Sequence, residues 1–153
     1  MCMIDPKPVE PPQEHEFYKV MLLLEDGRLR SEWTLRKYAV GEEHAAENIR
    51  ASGSPYTDLG LARTTYDPGF HGLDQIDAAE LYRINAAKSV FPQRVPKKET
   101  EEWRVVRCRG RVRLTGKFVV GLHGTEQEGT VLGPGVVADT MTILEVYPNE
   151  HPR

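Results

Sequence analysis

Cysteine is scarce in this sequence: the 153 residues include only Cys2 and Cys108. A domain held together by disulfides has more, so we expect a reducing, cytoplasmic setting. No stretch approaches the roughly 20 consecutive apolar residues of a membrane-spanning helix. The first residues, MCMIDPKPVEPP, lack the basic and apolar regions of a secretion signal. These absences predict a protein that does not insert into a membrane.

The spacings that identify common catalytic and metal sites are also missing. Cys108, His71 and His123 are scattered, whereas a zinc site needs several ligands at short spacing. There is no Walker-type glycine loop and no Ser-His-Asp spacing. Excess charge of one sign is absent too, since 20 Lys and Arg face 23 Asp and Glu. We therefore expect no metal and no general nucleic-acid binding, which usually shows a basic domain.

Proline is concentrated near the start of the chain. Residues 1–16 contain four prolines within PKPVEPP, with neighbouring acids and no apolar periodicity. Such sequence predicts a flexible arm. The remaining length suits one core, and we expect a single α+β domain over residues 17–148 followed by a tail over 149–153.

A β-hairpin is predicted directly after the arm. An apolar run, FYKVMLLL, ends at the turn signal Asp26-Gly27. The return run places Leu29, Trp33 and Leu35 at strand period, and this arrangement is typical of a hairpin.

The segment of residues 41–69 is rich in turn signals, among them SGSPYTDLG and YDPG. EEHAAENIRA within it predicts a short helix through Ile49 that ends near Gly53. A loop of this length in a compact domain is often functional.

LDQIDAAELYRINAAKS predicts the main helix. Asp74 is a suitable N-cap residue, and Ile76, Ala79 and Tyr82 recur at the spacing of one helix face. We expect the helix to stop before Pro92, because proline cannot continue it.

From Trp103 onward the apolar period becomes two, which indicates strands. One strand face is apolar and contains Val106, Cys108, Val112 and Leu114. The other, the arginine face, contains Arg107, Arg109, Arg111 and Arg113. The element order predicts an α+β fold: an antiparallel or mixed sheet with one main helix packed on a face, a hairpin at the start and a β-rich C-terminal half.

A histidine between glycines occurs twice, in GFHGLDQ (residues 69–75) and GLHGTEQ (residues 121–127). The flanking sequences differ, so this is not a repeat, and the glycines are expected to allow sharp turns. His123 reads as a hairpin-loop residue. For His71 two interpretations stand: a hydrogen-bonded ring at a strand–helix junction, or a ligand contact ahead of a helix N-terminus, where anions are favoured.

HGT at residues 123–125 resembles the H-G-[ST] motif of ADP-ribosyltransferases, whose histidine holds the ribose of NAD. That family needs a tyrosine and a late glutamate after the motif, and only 28 residues follow Thr125. FHGL around His71 leaves room for both, although Leu73 stands where the motif has Ser or Thr. The resemblance implies, as an alternative function, an NAD-dependent transferase. Its candidate catalytic residues are His71, Tyr82, Glu126 and Glu128.

The arginine face is the largest local charge anomaly of the chain. One interpretation is a solvated strand face neutralised by acids from elsewhere, such as KKETEE just before it. The other is a docking surface for an acidic protein partner or a phosphate-bearing ligand. The candidate partner-binding residues are His71, Arg107, Arg109, Arg111 and Arg113.

Three segments resemble small uncharacterised proteins encoded by bacteriophages and prophages: YKVMLLLEDGRLRSEWTLRKYAVG, PGFHGLDQIDAAELY, and VVRCRGRVRLTG leading to VVADTMTILEV. The likeness covers about residues 17–147, with residues 41–69 as an insert. It implies no known reaction, but an accessory product in the host cytoplasm: a host-interaction factor or a minor assembly component. Our leading hypothesis is therefore a non-enzymatic binding module without a cofactor.

Overall fold

The computed structural model describes residues 2–31, 35–46, 52–53, 65–66, 69–88, 96–121 and 129–149. Within these ranges the chain forms ten strands and one helix. In chain order they are β1 (Cys2–Leu23), β2 (Leu29–Arg30), β3 (Lys37–Tyr38), β4 (Glu43–Ala45), β5 (Ser52–Gly53), β6 (Thr65–Tyr66), β7 (Phe70–Leu73), α1 (Ile76–Lys88), β8 (Glu102–Gly121), β9 (Gly129–Ala138) and β10 (Thr140–Val146).

Eight of the strands form one sheet in the order β3-β2-β1-β7-β9-β8-β10-β4, and β5 pairs with β6 separately. Every strand pairing among the described residues is antiparallel. A further pairing of β1 with β8 closes β1, β7, β9 and β8 into a ring. The expected sheet with one helix is confirmed in outline, with the sheet dominant and the helix short.

The predicted hairpin forms, but its return strand is shorter than expected. Leu23 pairs with Leu29 across a turn in which Gly27 has a φ of 86°, a conformation that favours glycine. The return strand ends at Arg30, and β3 pairs antiparallel with β2. Leu35 therefore lies outside any strand and is 73% exposed, while Trp33 lies outside the described residues.

The predicted flexible arm is wrong for residues 2–16, because they belong to β1 and pair with β8. Met3 lies opposite Phe118 and is fully buried. Proline has no backbone N–H and cannot complete a ladder, and the pairing shifts register at the proline-containing stretches, between Ile4 and Lys7 and between Pro8 and Gln13. In the expected tail, the Asn149 side chain donates to the Trp103 carbonyl at 3.1 Å.

The short helix expected after residue 41 is wrong where the structure describes that segment. Residues 43–45 form β4, in which His44 pairs with Met141 of β10. Ile49 and the end of the expected helix lie outside the described residues, as does His123. An edge strand thus covers one side of β10.

Helix α1 packs on one face of the sheet as expected. Its first hydrogen bond runs from the Ala79 N–H to the Gln75 carbonyl at 3.2 Å, so the helix begins one residue later than a cap at Asp74 would place it. Ala79 and Tyr82 are buried, whereas Ile76 is 40% exposed. In the described part of the chain, no helix has the length and apolarity to cross a membrane.

The two faces of the long β1–β8 ribbon bury separate apolar clusters. The cluster under α1 includes Leu22, Leu73, Ala79, Tyr82 and Trp103. The cluster on the opposite face includes Phe17, Met21, Cys108, Val112 and Ile143. Beyond these clusters the ribbon continues into the first part of β1 (residues 2–12), which we call the proline-containing half of β1. A candidate site lies there.

Candidate functional site

The arginine face is largely neutralised by carboxylates from neighbouring strands. Arg107 forms ion pairs with Glu16 of β1 at 2.6 Å and with Glu145 of β10 at 3.4 Å, and the Glu16 hydrogen bond raises the pKa of Arg107. Two further pairs follow the same pattern: Arg109 with Glu14 at 3.6 Å and Arg113 with Asp139 at 2.5 Å. The face is therefore a ladder of alternating charges.

The acids of the KKETEE segment, which were expected to neutralise this face, form other contacts. Glu102 of the KKETEE segment pairs with Arg104 at 2.5 Å, and Glu101 accepts a hydrogen bond from the Lys98 N–H at 2.8 Å. Arg111 is exposed, and its backbone N–H donates to the Thr140 hydroxyl at 3.0 Å. The neutralising carboxylates come instead from strands distant in sequence.

His71 lies within β7 and is partly buried. Its ring packs against Phe118 with centroids 5.4 Å apart, and its Nδ1 is 3.1 Å from the Gly69 carbonyl oxygen. Burial, together with the nearby charge of Lys19, lowers the pKa of His71 to about 3. The imidazole is neutral at physiological pH, and its ring contacts lie within the sheet.

The sharp turn expected around His71 is wrong, because FHGL (Phe70–Leu73) is a strand. Neither Gly69 nor Gly72 has a positive φ. Gly72 is required by packing: a Cβ built there would lie 2.2 Å from Cδ2 of Phe17. The glycine makes room for an aromatic ring rather than for a turn.

Of the candidate catalytic residues of the transferase alternative, His71 and Tyr82 lie within the described part of the chain. Tyr82 is 7% exposed and belongs to the apolar cluster under α1. Glu126 and Glu128 lie outside the described residues. His71 contacts Phe118 and the backbone of Gly69.

A cleft of about 790 Å³ opens where the proline-containing half of β1 separates from the rest of the sheet. One wall comes from β1, with Pro6, Lys7, Val9, Gln13 and His15. The floor comes from β8 and β9 and includes Val112, Thr115, Lys117, Pro134 and Val136. Because residues 9–12 have no partners in the β1–β8 ladder, the wall stands away from the floor and leaves this space.

Two lysines give one side of the cleft a positive charge. Lys7 lies opposite Thr115 in the β1–β8 ladder, and Lys117 follows two residues along β8. Both lysines are exposed, and no carboxylate of the described residues forms an ion pair with either. Lysine ammonium groups with a neighbouring hydroxyl are suited to binding an oxyanion.

A histidine–aspartate pair borders another part of the cleft. His15 Nε2 lies 2.9 Å from Asp74 Oδ1, and the Asp74 N–H donates to the Pro134 carbonyl at 3.0 Å. Asp74 therefore links the proline-containing wall to the segment before α1 and to β9. Its carboxylate is engaged by His15 rather than by either lysine.

Sequence reasoning missed the cleft residues Lys7, His15, Asp74, Thr115 and Lys117 as a group. In the sequence Asp74 has the features of a helix N-cap, and each lysine stands apart from other charged residues of the cleft. The usable signal was PKPVEPP: four prolines close together are poorly suited to a continuous ladder, so a strand through them must separate from its partner.

The thiol of Cys108 is buried. Burial raises the pKa of the Cys108 thiol to about 12, so it is not a nucleophile at neutral pH. Among the described residues, no group of three or more His, Cys, Asp or Glu side chains could hold a metal ion.

Comparison with protein-family models, curated proteins and solved structures gives no match.

Proposed function

We propose that this protein is a small accessory protein of the phage type, a non-enzymatic binding module that acts in the host cytoplasm. It holds a phosphate-bearing ligand or an acidic partner by an anionic group bound in the cleft. The observation that carries the proposal is the pair Lys7 and Lys117, which border the cleft without a carboxylate partner among the described residues.

The cleft is favoured over the arginine face on grounds of charge. An incoming anion at Arg107, Arg109 or Arg113 must compete with carboxylates that already lie within 3.6 Å. At the cleft, an anion meets two ammonium groups that form no ion pair among the described residues, and the one carboxylate of the lining, Asp74, is paired with His15. The register shift between Val112 and Leu114 reverses the alternation of β8, so Phe118 packs in the same cluster as Trp103 and Val105. Thr115 and Lys117 therefore lie on the opposite sheet face from Arg109 and Arg111, and the two surfaces can be tested independently.

The test is a calorimetric titration with inorganic phosphate at constant ionic strength and neutral pH. We expect Lys7→Gln/Lys117→Gln to weaken binding at least about tenfold, because hydrogen bonds to charged groups are worth more than neutral ones. The matched control, Arg109→Gln/Arg111→Gln, also removes two positive charges, and we expect it to stay within about twofold of wild type.

The opposite ranking of the two variants would move the site to the arginine face. A glutamate-rich peptide serves as a second probe, and binding to it alone, lost in the lysine variant, would identify the partner as an acidic protein. Turnover of a chromogenic phosphate ester by wild type but not by the lysine variant would contradict the non-enzymatic part of the proposal.

A further inference from the structure

The two lysines and Thr115 are placed to surround one anion. Directly opposed residues of a ladder point to the same sheet face, so Lys7 and Thr115 share the cleft face. Lys117 lies on that face roughly 7 Å further along β8. The flexible stems of the two lysines allow both ammonium groups to approach a single group above Thr115.

This arrangement suits a phosphate monoester better than a carboxylate. Such a phosphate has nearly two negative charges and three strong acceptor oxygens. Two ammonium groups and a hydroxyl can donate to all three oxygens, whereas a carboxylate offers only one charge and two oxygens.

Much of the remaining surface of the cleft is aliphatic, apart from Gln13 and the His15–Asp74 pair. Its apolar residues are Pro6, Val9, Val112, Pro134 and Val136. The described lining residues include no Phe, Tyr or Trp, and their one ring is the His15 imidazole, which is paired with Asp74 at 2.9 Å. A nucleobase therefore finds little aromatic surface on which to stack. An alkyl stem attached to the phosphate would instead bury its methylene groups against valine and proline, which is favourable.

A peptide strand has no edge to join at the floor of the cleft. The floor residues Thr115, Gly116 and Lys117 already pair with Val136, Gly135 and Pro134 of β9, and strand addition needs an unpaired edge. The volume of about 790 Å³ lies within the range of small-molecule sites. We infer that the ligand of the cleft is a small soluble phosphate monoester with an aliphatic body, an inference that rests on the proposed function.

The experiment compares three probes by calorimetry on the full chain: inorganic phosphate, n-butyl phosphate and adenosine monophosphate. We expect n-butyl phosphate to bind at least about tenfold more tightly than inorganic phosphate, since each buried methylene adds affinity. Adenosine monophosphate should gain less than about threefold, because the one ring that the described lining residues offer the base is the His15 imidazole, which is already paired with Asp74.

Two variants separate the contributions of charge and of the aliphatic wall. Val9→Thr keeps the shape of the side chain but adds a hydroxyl, and it should reduce the advantage of n-butyl phosphate while leaving inorganic phosphate unchanged. Lys117→Gln should weaken all three probes in proportion. Lys97→Gln, an exposed lysine outside the cleft, should change none, and melting curves check that each variant folds.

Equal affinity for inorganic and n-butyl phosphate, with the lysine dependence intact, would overturn this inference and leave the proposed function standing. Phosphate binding that is unchanged by the lysine substitutions would contradict both the inference and the proposed function. Lysine-dependent binding to phosphatidic-acid vesicles without binding of n-butyl phosphate would overturn the inference in favour of a membrane surface.

Discussion

At the scale of single residues, Gly72 shows how a glycine can be fixed by a ring rather than by a backbone angle. Its added Cβ would collide with Phe17, which is fully buried and cannot move aside. We expect Gly72→Ala to lower the free energy of unfolding by about 3 kcal/mol, the upper range for overpacking, and by more than His71→Ala, measured by urea denaturation.

Gly27→Ala is the matched control for that experiment. Gly27 has a φ of +86° and nothing within 4 Å of its would-be Cβ, so only left-handed strain applies, about 1 kcal/mol. If Gly72→Ala proved no more damaging than Gly27→Ala, Phe17 would have to pack differently from the structure.

The buried imidazole of His71 makes stability depend on pH. In the unfolded chain its pKa is near 6.5, whereas in the folded chain it is about 3. Between these values the unfolded state binds the extra proton, so stability falls as the pH decreases from about 6.5 towards 3.

The measurement for His71 is urea denaturation at pH 7 and pH 5, for wild type and for His71→Asn. Asparagine keeps an N–H donor for the Gly69 carbonyl but does not titrate. We expect wild type to lose about 1–2 kcal/mol more than the variant between these pH values. Equal losses would mean that the native imidazole is protonated as easily as the unfolded one.

At the scale of elements, the proline-containing half of β1 is part of the fold. It buries Met3 completely and covers Phe118. Removing residues 1–12 would expose both the apolar cluster under α1 and the β8 ladder. We expect the melting temperature, followed by circular dichroism, to fall by about 10 °C, together with loss of phosphate binding. An unchanged melting temperature would restore the interpretation of a dispensable arm.

Elements that have a clear local sequence pattern could be predicted, whereas the first part of β1 could not. The alternation in β8 placed Val106, Cys108 and Val112 in the core and the arginines outside, as the structure has them. The prolines near the start argue locally against a strand, and only pairing with a segment about a hundred residues away overrides them. Met3 opposite Phe118 is a contact that no local pattern contains.

At the scale of the whole molecule, the cleft is assembled from four segments of the chain: β1, the residues before α1, β8 and β9. Lys7 and His15 come from β1, Asp74 precedes α1, and Lys117 belongs to β8. None of these residues stands out in its own neighbourhood, whereas His71 and the arginine face do. Local sequence patterns cannot reveal the cleft, because it forms only when β1 pairs with β8 over a long sequence separation.

The ladder of charges on the arginine face spans β1, β8 and β10 and yields the last prediction. Replacing Arg107, Arg109 and Arg111 with Gln leaves Glu14, Glu16 and Glu145 close together without their cations. Like charges on neighbouring strands repel, but exposed ion pairs are worth little. We expect the melting temperature at low salt to fall by less than about 5 °C.

High salt separates repulsion from packing in that triple variant. At 1 M ionic strength the Debye length is roughly 3 Å, so the difference from wild type should nearly vanish if it is electrostatic. Replacing Glu14 and Glu16 with Gln in the same chain should also restore the melting temperature, because it removes the stranded charges. If the melting temperature stays low after both treatments, the aliphatic stems of the arginines pack against the sheet as structural groups. Phosphate affinity should be unchanged in every case, since the cleft lies on the opposite face of β8.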